Sequence, residues 1–420
     1  MSLILLGDHH PFLQLAKLLS SQGHRFATLG GFASILTDID IPARPLAEAS
    51  AGLQDAALAE ASRILTTAMV SPIHQDGLGP GPSNFISTSL PPFLYSRLAD
   101  LAMLVLSLDV ARPTLCILQN DVVPINRTVA LWCKVRGVPC LHIPHAIYQN
   151  VNRGPAGTDV HDLVTASHLA AAGPYQREWY EERSEGWRVE SGGTELSPLS
   201  TLHSPLLIRE TGLPQFDQLI KELKRVSRER AQRLLKVNPF HPVVGYFSTW
   251  PQHSNVSGIS DGWQICYLEF LKAAKRLQKE HGVQFIIKLH PGGGEANWTW
   301  HVQMAQQVGL RCALTPGAYT SHTHLVACMR ASDLWLAYGG SNSVIDAAHI
   351  EGLRLASTHG YDGDEAVLRV PETAEGMYQA IGDALARPAP PVTKLLAKYV
   401  GDPDGKASER IAQWIGELVK

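Results

Sequence analysis

Gly339, Gly340, Ser341, Asn342 and Ser343 stand between an apolar run, "DLWLAY", and an amphipathic one, "SVIDAAHIEG". A strand that ends in two glycines and leads into a helix points unpaired backbone N–H groups and the positive end of the helix dipole at one spot. Glycine lets a ligand approach the backbone, and serine hydroxyls donate to oxyanions. The chemistry implied is anion binding, of a phosphate in particular. An ordinary N-cap, with Ser or Asn satisfying the same N–H groups, is the plainer alternative. Two further polar strand ends bear on the choice. "FIIKLHPGGG" carries Lys288 and His290 out of an apolar run, and "GYFSTWPQHSN" carries Ser248 and Thr249. In α/β sheets ligands gather at the C-terminal ends of the strands. The alternative there is a solvated loop.

The elements that must hold these residues are legible from periodicity. "LILLG" is a first strand, and Leu13, Ala16, Leu18 and Leu19 recur at helical spacing before Gly23 stops the helix. "RFATLG" completes a βαβ opening. Helices are predicted over 47–68 and 92–108, with "SPIHQDGLGPGPSN" a loop between them. "TLCILQND", "VPCLHIPHAIYQ" and "HDLVTAS" are further strands, with "NRTVALWCKVRG" and "AAGPYQREWYEER" as helices. From about 184 to 204 the pattern dissolves into Gly, Ser, Thr and Pro, which places the domain junction there. The pattern then restarts with a charged helix over 218–237, the strand "PVVGYFSTW", a helix over 264–281, and the strands "VQFIIKLHP", "LRCALTP" and "DLWLAYGG". Alternation of this kind predicts an α/β chain of two Rossmann-like domains facing across a cleft. The expected bounds are 1–204 and 205–400. A C-terminal helix over 401–420, with Ile411, Trp414, Ile415 and Leu418 on one face, is expected to pack back on the first domain.

Composition removes other classes. At 420 residues the chain is long enough for two cores, and 45% apolar with 18% charged content is that of a folded protein. A net charge of −3 speaks against broad non-specific nucleic-acid binding, without excluding a local basic patch. Cys116, Cys133, Cys140, Cys266, Cys312 and Cys328 show no C-x-x-C spacing and mostly lie in apolar runs. They read as reduced, buried thiols, and the expected location is cytoplasmic. "MSLILLGDHH" lacks the basic start of a signal peptide, and no run reaches the ~18 apolar residues of a membrane span. His9 and His10 are adjacent, so they project in different directions, and no third ligand is evident; no metal is expected.

Four short elements carry a resemblance. "TGLPQFDQL" resembles a G-x-P-x-x-D segment, "KLHP" an H-P motif, "YGGSNSVIDAAHIEG" a serine-rich phosphate motif, and "DPDGKASERI" a D-G-x-A-x-x-R-I tail. In this order and spacing the C-terminal half resembles the donor domain of GT-B glycosyltransferases. It is most similar to the branch of bacterial capsule and teichoic-acid polymer transferases (CDP-glycerol glycerophosphotransferase-like) and UDP-N-acetylglucosamine 2-epimerases. The resemblance implies donor binding by His290, Ser341, Asn342 and Ser343. In the first half, Asp121 and His145 match an acid and a histidine at successive strand ends. Ala146, Ile147 and Tyr148 replace the epimerase glutamate, however, and the H-R-x-E-N element is absent.

The implied function is transfer of a sugar or polyol phosphate from a nucleotide-activated donor to a hydroxyl acceptor, expected to be a glycan. The donor is a substrate; no cofactor or metal is expected. A base must deprotonate the acceptor, and positive charge or dipoles must stabilise the departing nucleotide. Asp121 and Asp8 are candidates for the base, with His145 and His9 as alternatives. Lys288 and the helix dipole near Asn342 serve the leaving group. Three other readings stay open: a 2-epimerase-like enzyme, a glycosyltransferase acting on a modified DNA base, and a non-catalytic nucleotide-binding member of the fold. The basic run 221–236 reads as a solvated helix face or as a contact for a membrane or an anionic polymer.

Overall fold

A computed structural model describes residues 2–6, 13–29, 39–41, 51–70, 92–119, 124–144, 166–190, 206–248, 262–290, 294–315, 322–338, 342–358 and 364–420. Two all-parallel sheets organise them. The first has the order β3-β2-β1-β4-β5-β6-β7, from β1 (Leu3–Leu6), β2 (Arg25–Leu29), β3 (Ile39–Ile41), β4 (Leu115–Leu118), β5 (Cys140–His142), β6 (His168–Ala171) and β7 (Leu207–Glu210). The second has the order β10-β9-β8-β11-β12-β13, from β8 (Val243–Phe247), β9 (Gln284–Lys288), β10 (Cys312–Thr315), β11 (Leu334–Ala337), β12 (Arg354–Ser357) and β13 (Val367–Arg369). Each sheet runs outward from its first strand, then returns to that strand's other side. The order reverses between β1 and β4 and again between β8 and β11. In doubly wound sheets ligands bind at such reversals, because the two flanking crossovers diverge and leave a crevice.

The strands are apolar because both faces are covered. β4 and β11 are buried along their whole length, as helices on either side require. Helices α1 (Leu13–Ser21), α2 (Ala51–Val70), α3 (Pro92–Ala111), α4 (Pro124–Arg136) and α5 (Pro174–Glu190) accompany the first sheet. The second half adds α6 (Pro214–Leu223), α7 (Arg228–Leu235), α8 (Gly262–His281), α9 (Gly294–Val308), α10 (His322–Ala331), α11 (Asn342–Ala348) and α12 (Ala374–Ala386). The chain closes with α13 (Thr393–Tyr399) and α14 (Ala407–Leu418). Five of the six cysteines are buried, Cys312 is half-buried, and none is paired in a disulfide.

Several sequence expectations shift. "LIRE", placed at the head of the second half, is β7 and pairs with β6, so the first sheet extends to Glu210 rather than stopping at 204. Most of "HDLVTAS" lies outside the described residues; β6 begins at His168, and the Ser167 hydroxyl before it accepts from the Cys140 amide at 3.0 Å. The charged helix over 218–237 is two helices. Ser227 caps the second, its Oγ accepting from the Arg230 amide at 3.2 Å, and Lys236 ends it in the left-handed region.

The chain returns to the first domain as expected. At Gly401 the backbone passes so close to Gly173 that a Cβ there would stand 2.7 Å from the Gly401 nitrogen. Helix α14 then packs on α1 and α6. Its Trp414 sits edge-on to His168, 5.7 Å between ring centres, with the Arg209 guanidinium 4.9 Å over the indole. The two halves of the molecule thereby share one continuous apolar cluster, from Ile4 and Leu19 through Phe216 to Trp335 and Ile415. Two of the motifs quoted above explain how. The Asp217 carboxylate accepts the amides of Ala407 (2.9 Å) and Ser408 (2.7 Å), capping α14. Arg410 returns the contact, donating to the Thr211 carbonyl at 2.8 Å and pairing with Asp404 at 2.9 Å.

Candidate functional site

Strands β9, β8 and β11 are neighbours, and their last residues are level: Phe247 pairs in register with Lys288 on one side and Ala337 on the other. The polar ends called out in the sequence therefore emerge side by side, at the reversal between β8 and β11. There the chain holds one peptide unit with care. The Leu289 carbonyl accepts from Lys288 Nζ at 2.8 Å, and the His290 N–H donates to Ser248 Oγ at 2.9 Å. These are the two polar ends of the same peptide bond, so its plane is fixed from both sides. The Ser248 amide in turn donates to the Lys288 carbonyl at 3.0 Å, continuing the ladder past β8.

Below this peptide lies an aromatic layer. The His290 ring meets Phe247 edge-on at 6.1 Å, and Phe247 lies 6.2 Å from Trp335. The Trp335 indole N–H points at Ser343 Oγ, 3.4 Å away. Room for the buried indole comes from Gly245, where a Cβ would stand 2.4 Å from the Trp335 ring and 2.6 Å from the Ser332 hydroxyl. One layer thus ties β8, β9 and β11 to the first turn of α11.

Three of the residues read as ligand contacts are buried in this structure. Lys288 is buried, and burial holds its ammonium below the usual lysine range. Ser343 is buried beneath Trp335. Ser248 is buried as well, and its hydroxyl is occupied by His290. Their common work is positioning. His290 and Asn342, the first residue of α11, are half-buried at the edge itself. Thr249, Gly339, Gly340 and Ser341 lie outside the described residues.

Sequence reasoning passed over Asp346, one helical turn after Asn342. Part of its surface still reaches solvent, yet the atoms packed round its carboxyl push the pKa up to about 7. Neighbouring His349 donates from Nδ1 to the Ile345 carbonyl (3.0 Å), lies 5.5 Å from Phe216, and is held below the usual histidine range by burial. Tyr338, at the end of β11, is pushed up to about 12, first by burial and then by nearby Glu372. An acid in the middle of an otherwise apolar helix, "SVIDAAH", was the available signal.

No protein-family model matches the chain, and no curated protein does either. Solved structures match it over its full length. A UDP-N-acetylglucosamine 2-epimerase from Rickettsia bellii has a TM-score of 0.56 at 12% identity, covering 99% of this chain and 95% of that one. The Methanocaldococcus jannaschii UDP-GlcNAc 2-epimerase, solved with UDP-GlcNAc and UDP, scores 0.54 at 14% identity over 99% and 100%. The wall teichoic acid polymerase TagF scores 0.50 at 9% identity over 100% and 88%. Two facing Rossmann-like domains, aligned end to end with these proteins, settle the architecture. The chain has the GT-B fold.

In this GT-B chain the base candidates Asp8, His9, Asp121 and His145 lie outside the described residues. The strands they follow are nonetheless adjacent: β1, β4 and β5 are neighbours at the centre of the first sheet, and Asp8 and Asp121 come just after the two strands that flank its reversal. Among the described residues no group of three His, Cys, Asp or Glu side chains is arranged to hold a metal ion.

Proposed function

We propose that this chain is a glycosyltransferase, or polyol-phosphate transferase, that binds a nucleotide-activated donor along the β9–β8–β11 edge and a hydroxyl acceptor at the β1–β4 edge. One observation carries the reading: in a GT-B fold, every residue proposed for chemistry follows either a strand that flanks a reversal of sheet order or, for His290 and His145, the strand next to one. UDP-GlcNAc and UDP, bound in the similar epimerase from Methanocaldococcus jannaschii, are of the proposed class.

His290 is the proposed donor contact, with its backbone fixed by Ser248 and Lys288, and Asn342 with Gly339, Gly340 and Ser341 is proposed to complete the phosphate site. Departure of the nucleotide is assisted by backbone N–H groups and the imidazole rather than by the buried Lys288. Deprotonation of the acceptor falls to Asp121 or Asp8, or to His145 or His9. The acceptor is taken to be a glycan. Epimerisation is the weaker reading, because Ala146, Ile147 and Tyr148 stand where the glutamate would be.

A thermal-shift panel with CMP, CDP, UDP, GDP, ADP and TDP, with and without magnesium, tests the donor site. A nucleotide at about 100 times its Kd adds roughly 2.7 kcal/mol of stability. The expected result is stabilisation by one base family, abolished in His290→Ala with the unliganded melting temperature kept. Absence of a shift with every nucleotide overturns the proposal.

A further inference from the structure

We propose that the surface formed by α7 and the turn after it docks on an anionic phospholipid bilayer. Residues 221–236 hold seven Lys and Arg against two Glu. Some of that charge is already paired: Arg225 with Glu222 at 3.3 Å and Arg228 with Asp333 at 2.6 Å. Lys224, Arg230, Arg233 and Lys236 are exposed and make no ion pair within 4.0 Å among the described residues. Glu229 is the one exposed acid of the segment.

Apolar surface accompanies the charge. Arg230 and Arg233 flank a pocket of about 360 Å³ floored by Val226, Ala231 and Ala327 and edged by Leu234, itself 56% exposed. Four residues beyond Lys236 stands Phe240. At 90% exposure it is the most exposed large apolar side chain among the described residues. The turn that presents it is built, not slack. The Phe240 amide donates to Asn238 Oδ1 (3.0 Å), and the Gln284 amide group grips the Asn238 backbone on both sides, at 2.8 Å each.

This combination separates a bilayer from a soluble polyanion. A polyanion needs only cations, whereas a lipid surface also rewards an apolar side chain that enters the acyl boundary between cationic side chains at the headgroups. Among the described residues no helix is long and apolar enough to cross a membrane, so the contact is peripheral. Its place in the fold suits that role. Arg228 anchors α7 beside Asp333 at the start of β11, and Gln284 begins β9, so the patch lies where the strands of the second sheet start. The strand-end edge at the opposite side stays open.

The test is co-sedimentation of the full chain with phosphatidylcholine vesicles, with and without about one-third phosphatidylglycerol. Expected is binding to the anionic vesicles only, weakened on raising salt from about 0.1 M to 1 M as the screening length falls from roughly 10 Å to 3 Å. Arg230→Glu with Arg233→Glu should lower partitioning more than tenfold. Phe240→Ser with Leu234→Ser should lower it at least fivefold, and Phe240→Trp should retain it. All these positions are exposed, and unchanged melting temperatures check that each variant folds. Failure to bind anionic vesicles overturns the proposal, as does binding indifferent to Phe240 and Leu234. Equal affinity for a DNA duplex, or a concentration-dependent dimer that Phe240→Ser dissolves, would assign the patch to a polyanion or to a second copy and overturn it equally.

Discussion

The Ser248 hydroxyl accepts the His290 amide at 2.9 Å, joining the ends of two adjacent strands by a side chain where the ladder has stopped. With Lys288 on the preceding carbonyl, the bond sets where the imidazole can stand. Ser248→Ala leaves the half-buried His290 without the acceptor of its N–H, a loss of about 0.5–1.5 kcal/mol. We expect a lower melting temperature and a weaker nucleotide Kd, while Ser248→Thr restores most of both. Calorimetric titration of the three proteins with the stabilising nucleotide reads this out; an unchanged Kd in Ser248→Ala would separate the peptide clamp from the ligand site.

Lys288 gives a sharper discrimination. A lysine on the phosphates contributes charge-assisted bonds of about 1.5–3 kcal/mol, so its loss would weaken binding by roughly 10- to 150-fold. A lysine that only holds the Leu289 carbonyl contributes less. The geometry predicts that Lys288→Met weakens nucleotide binding by no more than about fivefold, against a tenfold or larger loss in His290→Ala. A larger loss in Lys288→Met would put the ammonium on the ligand.

Asp346 makes the unliganded protein sensitive to pH. Its carboxyl titrates at about 7 in the fold and near 3.8 when unfolded. Between those values the folded state holds the proton and the unfolded state has lost it, so this group's contribution falls as pH rises through the window. Asp346→Asn mimics the protonated form. We expect it to raise stability by about 2 kcal/mol at pH 8, after allowing for residual solvent access, and to do nothing at pH 3.5. Urea denaturation at the two pH values measures it; equal effects at both would mean that the carboxyl is not the titrating group.

Asp217 caps a helix that begins 190 residues later in the chain. Removing a capping oxygen costs about 0.5–2 kcal/mol, and leaving two buried amides unpaired adds to it. Asp217→Ala should destabilise by about 2–4 kcal/mol, with Asp217→Asn intermediate because one acceptor survives. If α14 detaches before the rest unfolds, Trp414 fluorescence changes at lower denaturant than far-ultraviolet dichroism. Coincident transitions would show that the two domains and the final helix unfold together.

Much of the second sheet was readable because each strand is a short apolar run ending on a polar cluster, with "PVVGYFSTW", "FIIKLHP" and "DLWLAYGG" giving β8, β9 and β11 in turn. β3, β12 and β13 escaped: "IDI", "RLAS" and "VLR" are only three or four residues each, too short for periodicity to register. β7 was assigned to the wrong side of the junction because partnership in a parallel sheet leaves no mark on local sequence. At the site, residue type located the strand ends but not side-chain direction. Lys288 and Ser343 were read as facing outward, since nothing in "IIKLHP" or "GGSNSV" announces that both lie under the edge. Asp217 and Arg410 were legible only as parts of short motifs. Their mutual purpose appeared once the chain had folded back.

That fold-back has a consequence for synthesis. Ile411, Ala412 and Ile415 complete an apolar cluster that also contains Ile4, Leu15 and Leu19. Nearly two hundred residues, the whole of the second sheet, separate Glu210 at the edge of the first sheet from Ala407. At about 5–20 residues per second, a ribosome needs roughly 10–40 s to make that stretch. Through this interval α1 emerges without its last partner, and its apolar face must be sheltered by a chaperone or by transient contacts. The N-terminal domain is thus begun first and finished last.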